Sequence, residues 1–333
     1  MRRSGGDWQG WARERLRMPR RGCANLNRCS SVSAAAATTT ALAESESSDE
    51  QPNRIRIEYG PPKNPEQQSI YEELMKRRPL EKFQEIFSPF RFPIEVTLRI
   101  KDCDGASNAL YERPVVTICY EYINDMRNSR PTLDAPAGDA FDGITPSDAM
   151  FGQLFYAVAH EMGHVVFDLL DVPIFGRAED AADGFAVYMM LELGKQDARR
   201  IILGAAYSYK EYIKNPRVCV PLIAFADSHA APMQRYYNLM CVGYGAYPAL
   251  FSSLVEKGLL PKSRADSCRR EYEEVKFAFQ TSIAPHLDPE LAKQVLDRTW
   301  LPQLPPPSAP AVSLRPDLQV DQAYANICSN ERE

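Results

Sequence analysis

The sequence predicts an α+β fold, with a small sheet first and a mostly helical body after it. Ile94–Ile100 reads IEVTLRI and Val115–Ile123 reads VVTICYEYI, both with the alternation of half-buried strands. After Pro146, apolar residues recur mainly at helical spacing. Strands gathered at one end and helices at the other indicate segregated layers, not alternating βαβ units.

The chain has 333 residues, 44% hydrophobic and 25% charged. That composition excludes a wholly disordered, collagenous or coiled-coil protein. A net charge of -5 leaves no electrostatic footprint for nucleic acid. No uncharged apolar run reaches the roughly 18 residues of a membrane span.

Residues 1–43 hold eight arginines, no lysine and only Asp7 and Glu14 as acids. A basic, acid-poor leader of this kind is typical of targeting segments, and Ala41-Leu42-Ala43 has the spacing of a signal-peptidase site. The run before it is poor in Leu and Ile, so a disordered extension or a start placed too far upstream accounts for the same composition. On any of these readings residues 1–52 stand outside the fold. The expected domain covers 53–300, with the sheet and active helices in 53–195 and a helical lobe in 196–300. Residues 301–333 form a Pro-rich tail, with Pro302, Pro305-Pro306-Pro307, Pro310 and Pro316.

Within the domain, Ile70, Leu74, Leu80, Phe83 and Phe87 fall at helical spacing across Glu66–Phe87, with an interruption at Pro79. Between the two strands, Asp102–Pro114 reads as a polar, turn-rich link holding Asn108-Ala109. Thr145-Pro146-Ser147-Asp148 is a helix start, with a hydroxyl cap, Pro at the first helical position and an acid at the third. The helix it opens is expected to run to Asp171. Val172–Gly176 then turns the chain, and a second helix is expected from about Arg177.

The first of these helices contains His160-Glu161-Met162-Gly163-His164. Histidines four apart on a helix stack one turn above each other, so both rings can reach one ion. Glu161 sits beside them, placed to address a water without being a ligand. Glu179 and Asp183, four apart on the second helix, share a face. In an antiparallel pair Glu179 falls level with His164 and Asp183 level with His160. This predicts Glu179 as third ligand and Asp183 as the carboxylate that orients His160 through its other ring nitrogen, with Asp183 as the competing third ligand. Three protein ligands and an open position describe a catalytic Zn2+ site. Asp180 reads as a first-turn acid favoured by the helix dipole.

A histidine pair in H-E-x-x-H followed by E-x-x-x-D on the next helix resembles the gluzincin metallopeptidases, the thermolysin-type enzymes. The linker from His164 to Glu179 is shorter than theirs. Phe167 and Leu170 stand where the metzincin pattern needs Gly and His. The body as a whole, over about 53–285, is similar to a family of metallopeptidase-like domains of unknown function. Its matching stretches are Cys103–Tyr122, the helix through Asp171, Gly176–Asp183 and Asp227–Pro248. The resemblance implies a zincin-like fold and a peptide or protein substrate. It also implies an edge strand at Asn108-Ala109 that binds the substrate backbone, although a turn role would equally suit Asn108.

The expected chemistry has Zn2+ lowering the pKa of its water to about 7 and polarising a carbonyl. Glu161 is the general base; the gluzincin resemblance, in which the helical lobe often supplies His or Tyr, makes His229 the first candidate to stabilise the oxyanion, ahead of Arg235, Tyr236, Tyr237 and Tyr244. A surface histidine is the plain alternative for His229, and His286 has no identifiable partner. Tyr236, Leu239, Met240 and Tyr244 repeat at core spacing, and Gly243 and Gly245 suit close helix packing. A non-catalytic metal-stabilised binding domain would have no use for Glu161, and a zinc hydrolase of non-peptide amides would look the same in sequence.

Eight cysteines are present. With the metal assigned to His and Glu, none is needed as ligand. Cys103 and Cys119 flank a turn between successive elements, and Cys241 and Cys268 flank a second segment, so both pairs can bridge. Bridges would fit a secreted or periplasmic protein, whereas buried free thiols would fit a cytoplasmic or organellar one. Cys23 and Cys29 fall in the leader, and Cys219 and Cys328 have no assigned partner.

Overall fold

The computed structural model describes residues 54–132, 141, 143–214 and 220–302. The leader with Ala41-Leu42-Ala43, the tail from 303, and Cys23, Cys29, Cys219 and Cys328 lie outside the described residues.

Among the described residues the first element is strand β1 (Ile55–Tyr59), which the two strand patterns did not include. Helices α1 (Gln68–Arg77) and α2 (Pro79–Ile86) follow, divided at Arg78, whose φ of 51° places it in the left-handed region. Pro79 begins α2, where its missing N–H costs nothing. Strand β2 is Val96–Lys101. The expected link contains β3 (Ala109–Glu112), paired antiparallel with β4 (Val115–Cys119). The expected second strand therefore ends at Cys119, and α3 takes Tyr120–Ser129. Tyr120, Ile123 and Met126 are its buried residues; their spacing of three is helical and competes with the alternation that suggested a longer strand.

The sheet order is β1-β2-β4-β3, with β1, β2 and β4 parallel and β3 at one edge. Asn108 C=O accepts from Cys119 N–H at 3.0 Å. Backbone groups alternate along a strand, so those of Ala109 and Tyr111 face the open edge.

Helix α4 (Pro146–Leu169) starts with the capping box between Thr145 and Asp148. It ends just short of Asp171, whose φ of 52° is incompatible with a continuing helix. It is buried on nearly all sides. Helix α5 (Ala178–Glu192) returns after a short loop. Then come α6 (Lys195–Ala206), α7 (Lys210–Lys214), α8 (Pro232–Ala246), α9 (Ser252–Glu256), α10 (Lys262–Ser282) and α11 (Pro289–Leu296). No helix among the described residues is long and apolar enough to cross a membrane.

Helices α4 and α6 touch backbone to backbone. A Cβ on Gly204 would stand 2.2 Å from Asp148 O, and one on Gly152 would stand 2.4 Å from Ile201 O. The contact is locked by Arg200, whose Nη2 meets the buried Asp148 carboxylate at 2.6 Å. Gly245 does the same for α8 and α10, with a Cβ position 2.1 Å from Cys268 O; Gly243 and Gly245 are packing residues, as expected. Trp300 and Leu301 are buried, and their N–H groups end on Asp197.

Both cysteine pairs are joined. Cys103–Cys119 closes a loop of sequence separation 16 around β3, and Cys241–Cys268 ties α8 to α10 across a separation of 27. Loops of these lengths are each worth about 3 kcal/mol of stability. Urea unfolding with and without dithiothreitol should therefore differ by several kcal/mol, and replacing Cys241 and Cys268 together by serine should reproduce about half of that loss. Gly204→Ala, by forcing α6 off α4, should cost about 3 kcal/mol in the same assay.

Candidate functional site

His160, His164 and Asp168 follow one another at four-residue intervals on α4, and so stand one turn apart on a single face. Gly163 lets α5 come close: a Cβ there would lie 3.2 Å from Ala182 Cα. Glu179 and Asp183 thereby come opposite the imidazoles.

Glu179 Oε2 lies 3.0 Å from His160 Nε2, 3.4 Å from His164 Nε2 and 2.9 Å from His229 Nε2. The two α4 histidines have their Nε2 atoms 3.3 Å apart. On its other side His160 Nδ1 meets Asp183 Oδ1 at 2.8 Å. Asp183 accepts two further bonds from Arg235, from Nε at 2.8 Å and Nη2 at 2.7 Å. Asp183 thus stands level with His160, as the helix pairing implied. Glu179 sits between the two rings, nearer His160 than expected. His229 comes from the segment ahead of α8, where Asp227 Oδ1 accepts its backbone N–H at 2.8 Å. Its ring stacks on that of His160 with centroids 5.8 Å apart, and its side chain is 44% exposed.

The hydrogen-bonding pattern of these residues suits a cation. With Nδ1–H given to Asp183, a neutral His160 turns the lone pair of Nε2 toward the Glu179 carboxylate. A proton shared between the two groups or a cation bound by both relieves that contact. Burial pulls the His160 pKa down, but the hydrogen bonds to Asp183 and Glu179 outweigh it and raise it to about 9. The His160 bond and the neighbouring imidazoles bring Glu179 down to about 2 against its burial. Burial pushes Asp183 up, and the bonds from His160 and Arg235 overcome this and hold it well below the usual carboxylate range. His164 is lowered by burial and by the His160 charge. Three imidazole nitrogens around one anionic oxygen are a donor set that fits a divalent metal, and His160, Glu179 and His229 alone already have ligand atoms within 4.8 Å of one another.

Glu161 stands apart from this cluster. Burial raises its pKa to about 7, against the lowering effects of the His160 and Arg235 charges and of the Tyr111 backbone on β3. Glu161 and His164 border a groove of about 660 Å³, with Asn108, Ala109 and Tyr111 along one side and Glu179 and His229 beside them. The groove therefore runs along the open edge of the sheet. Asn108 Oδ1 accepts from Ala109 N–H at 2.9 Å.

A family model described as "Putative metallopeptidase" matches residues 59–282, from the end of β1 to the last residue of α10. The chain belongs to this family. No curated protein and no solved structure matches it. The metallopeptidase family match spans every residue of the cluster and of the groove.

The remaining oxyanion candidates of this metallopeptidase-family chain sit elsewhere. Arg235 is committed to Asp183 and lies over the Tyr156 ring at 5.6 Å. Tyr236 is buried in the core, Tyr237 packs edge-on against it at 5.3 Å, and Tyr244 packs on the same core. None of the four borders the groove. His286 lies in a 3₁₀ turn, where its C=O accepts from Arg91 N–H. Sequence reasoning missed Arg235 as the counter-ion of Asp183, and missed Asp168 although it occupies the next rung of the histidine ladder. Asp183→Asn should keep the fold but weaken metal binding by about 10- to 100-fold, measured by competition with a chromophoric chelator.

Proposed function

We propose that this chain is a zinc-dependent peptidase that hydrolyses peptide bonds in the groove beside β3. The observation that carries the reading is the convergence of His160, His164 and His229 on Glu179, a contact a cation would satisfy, with Glu161 next to it and outside it. His160, His164 and Glu179 would hold Zn2+. The ion would supply Lewis-acid polarisation of a substrate carbonyl and bring the pKa of water toward about 7.

The chain's own groups do the rest. Asp183, fixed by Arg235, holds His160 in the tautomer that leaves Nε2 free. Glu161, with a pKa near 7, is poised to take a proton from the attacking water and return it to the leaving amine. His229 is the donor for the developing oxyanion in this reading. Asn108 and Ala109 lie where an extended substrate would add as a further strand to β3. The zincin-like, gluzincin character expected from the motif is part of this proposal. The two disulfides support an oxidising compartment, and so a secreted or periplasmic location.

The test compares wild type with Glu161→Gln on a peptide library while measuring bound zinc. Wild type should cleave, and Glu161→Gln should lose at least about 100-fold in kcat with its zinc content unchanged. His160→Ala should lose zinc. Bound zinc with no cleavage by wild type would sink the peptidase reading in favour of a metal-stabilised binding domain, and cleavage only of non-peptide amides would move it to another hydrolase class. His229→Ala should slow cleavage without releasing zinc; loss of zinc in that variant would make His229 a ligand instead.

A further inference from the structure

Asp168 continues the ladder of His160 and His164 into the groove, but both its oxygens are taken by the edge strand and the turn after it. Tyr111 Oη donates to Asp168 Oδ2 at 2.6 Å. Arg113 Nη1 donates to Asp168 Oδ1 at 3.2 Å. Two turns earlier on the same helix, Glu161 stands close enough to the Tyr111 backbone for that backbone to work against the rise of its pKa. Tyr111 of β3 thus holds α4 through its phenol at Asp168, and Glu161 borders the same groove. Tyr111 and Asp168 both line the groove. Strand β3 has only four residues and is hydrogen-bonded to one neighbour, so the sheet alone holds it weakly. Its distance from α4 must be set by contacts such as these.

We propose that Tyr111 and Asp168 form a positioning latch that fixes the substrate-receiving edge strand against the helix bearing His160, Glu161 and His164. The proposal rests on the peptidase reading above and adds the residues that set its substrate binding. Neither side chain needs to touch the reacting atoms. An extended peptide adds to β3 only where the strand is held ready to pair, so a strand that must be ordered on binding weakens the substrate and transition-state complexes alike. Arg113 steadies the Asp168 carboxylate from the solvent side, where the pair is too exposed to hold the strand by itself.

The experiment measures kcat and KM for a peptide substrate in wild type, Tyr111→Phe, Asp168→Ala, Asp168→Asn and the Tyr111→Phe/Asp168→Ala double variant. It also measures amide exchange over residues 109–112. The latch predicts that Tyr111→Phe and Asp168→Ala raise KM about tenfold with kcat nearly unchanged, because a loosened strand weakens ground and transition states alike. Asp168→Asn, which still accepts the phenol, should restore most of the wild-type KM. The double variant should be no worse than either single one. Exchange in β3 should quicken in the two loosened variants and stay unchanged elsewhere. A purely structural role would instead lower the active fraction, so kcat would fall with KM constant, and that result overturns the latch. An unchanged KM in both single variants also overturns it. If wild type cleaves nothing, the peptidase reading fails by itself and the exchange data decide: unchanged β3 exchange in Tyr111→Phe refutes the latch, and faster exchange supports its structural half.

Discussion

One carboxylate holds together the three helices that make the site. Asp183 is only 12% exposed, yet it receives His160 from α4 and two bonds from Arg235 of α8. Taking such a charge out of water is costly, and removing one partner of a buried pair commonly costs about 3–5 kcal/mol. The arrangement survives because every oxygen is satisfied: Oδ1 by His160 and Arg235, Oδ2 by Arg235 alone. The close approach of α4 and α5 at Gly163 is a precondition, since a bulkier residue there would hold Asp183 away from the ring it orients. The imidazole tautomer and the direction of Nε2 follow from this arrangement, whereas Glu179 is placed one turn away by α5 itself.

Much of the site was legible in the sequence because its signals are local. Two histidines four apart on a capped helix, and two acids four apart on the next, need only helical geometry to be paired. The disulfide pairs were legible for the same reason, each flanking a short segment. Arg235 was not. It lies 52 residues from Asp183, and nothing in its own neighbourhood on α8 marks it as a buried counter-ion. The edge strand was hidden in another way. Ala109–Glu112 is a stretch of four residues between polar turns, too short for alternation to be recognised, and its strand character comes from pairing with β4. The overlong reading of β4 reflects a real ambiguity, since VVTICYEYI satisfies period two throughout while Tyr120 and Ile123 also satisfy a helix.

The segment that carries β3 is held from outside as much as by the sheet. The Cys103–Cys119 bridge closes its ends, and the Glu121 carboxylate accepts N–H bonds from Cys103 and Gly105. These ties fix the base of the hairpin, while the groove side is held by α4. A strand exposed along one edge usually needs such restraints, because open N–H and C=O groups invite pairing with other chains. Here the outer edge is partly occupied by its own protein, with Ala109 N–H on the Asn108 side chain. An incoming strand would have to replace a bond that already exists, which favours a segment able to offer a continuous ladder over a casual contact.

The cluster sits where its cost can be borne. Helix α4 is packed by the sheet, α5 and α6 over most of its length, and the backbone contact at Gly152 and Gly204 lies about two turns from His160. The contact of the His160 Nε2 lone pair with Glu179 is buried behind the groove-lining His164 and His229, of which His229 is 44% exposed. A protonated His160 relieves it in the metal-free chain, and a cation would relieve it better, since one proton satisfies a single nitrogen whereas an ion can be shared by several. The strain is therefore local, and the packing that resists it does not depend on it. That separation lets a site keep polar groups that a stability criterion alone would replace with apolar ones, which is the pattern expected where a fold is selected for chemistry as well as for folding.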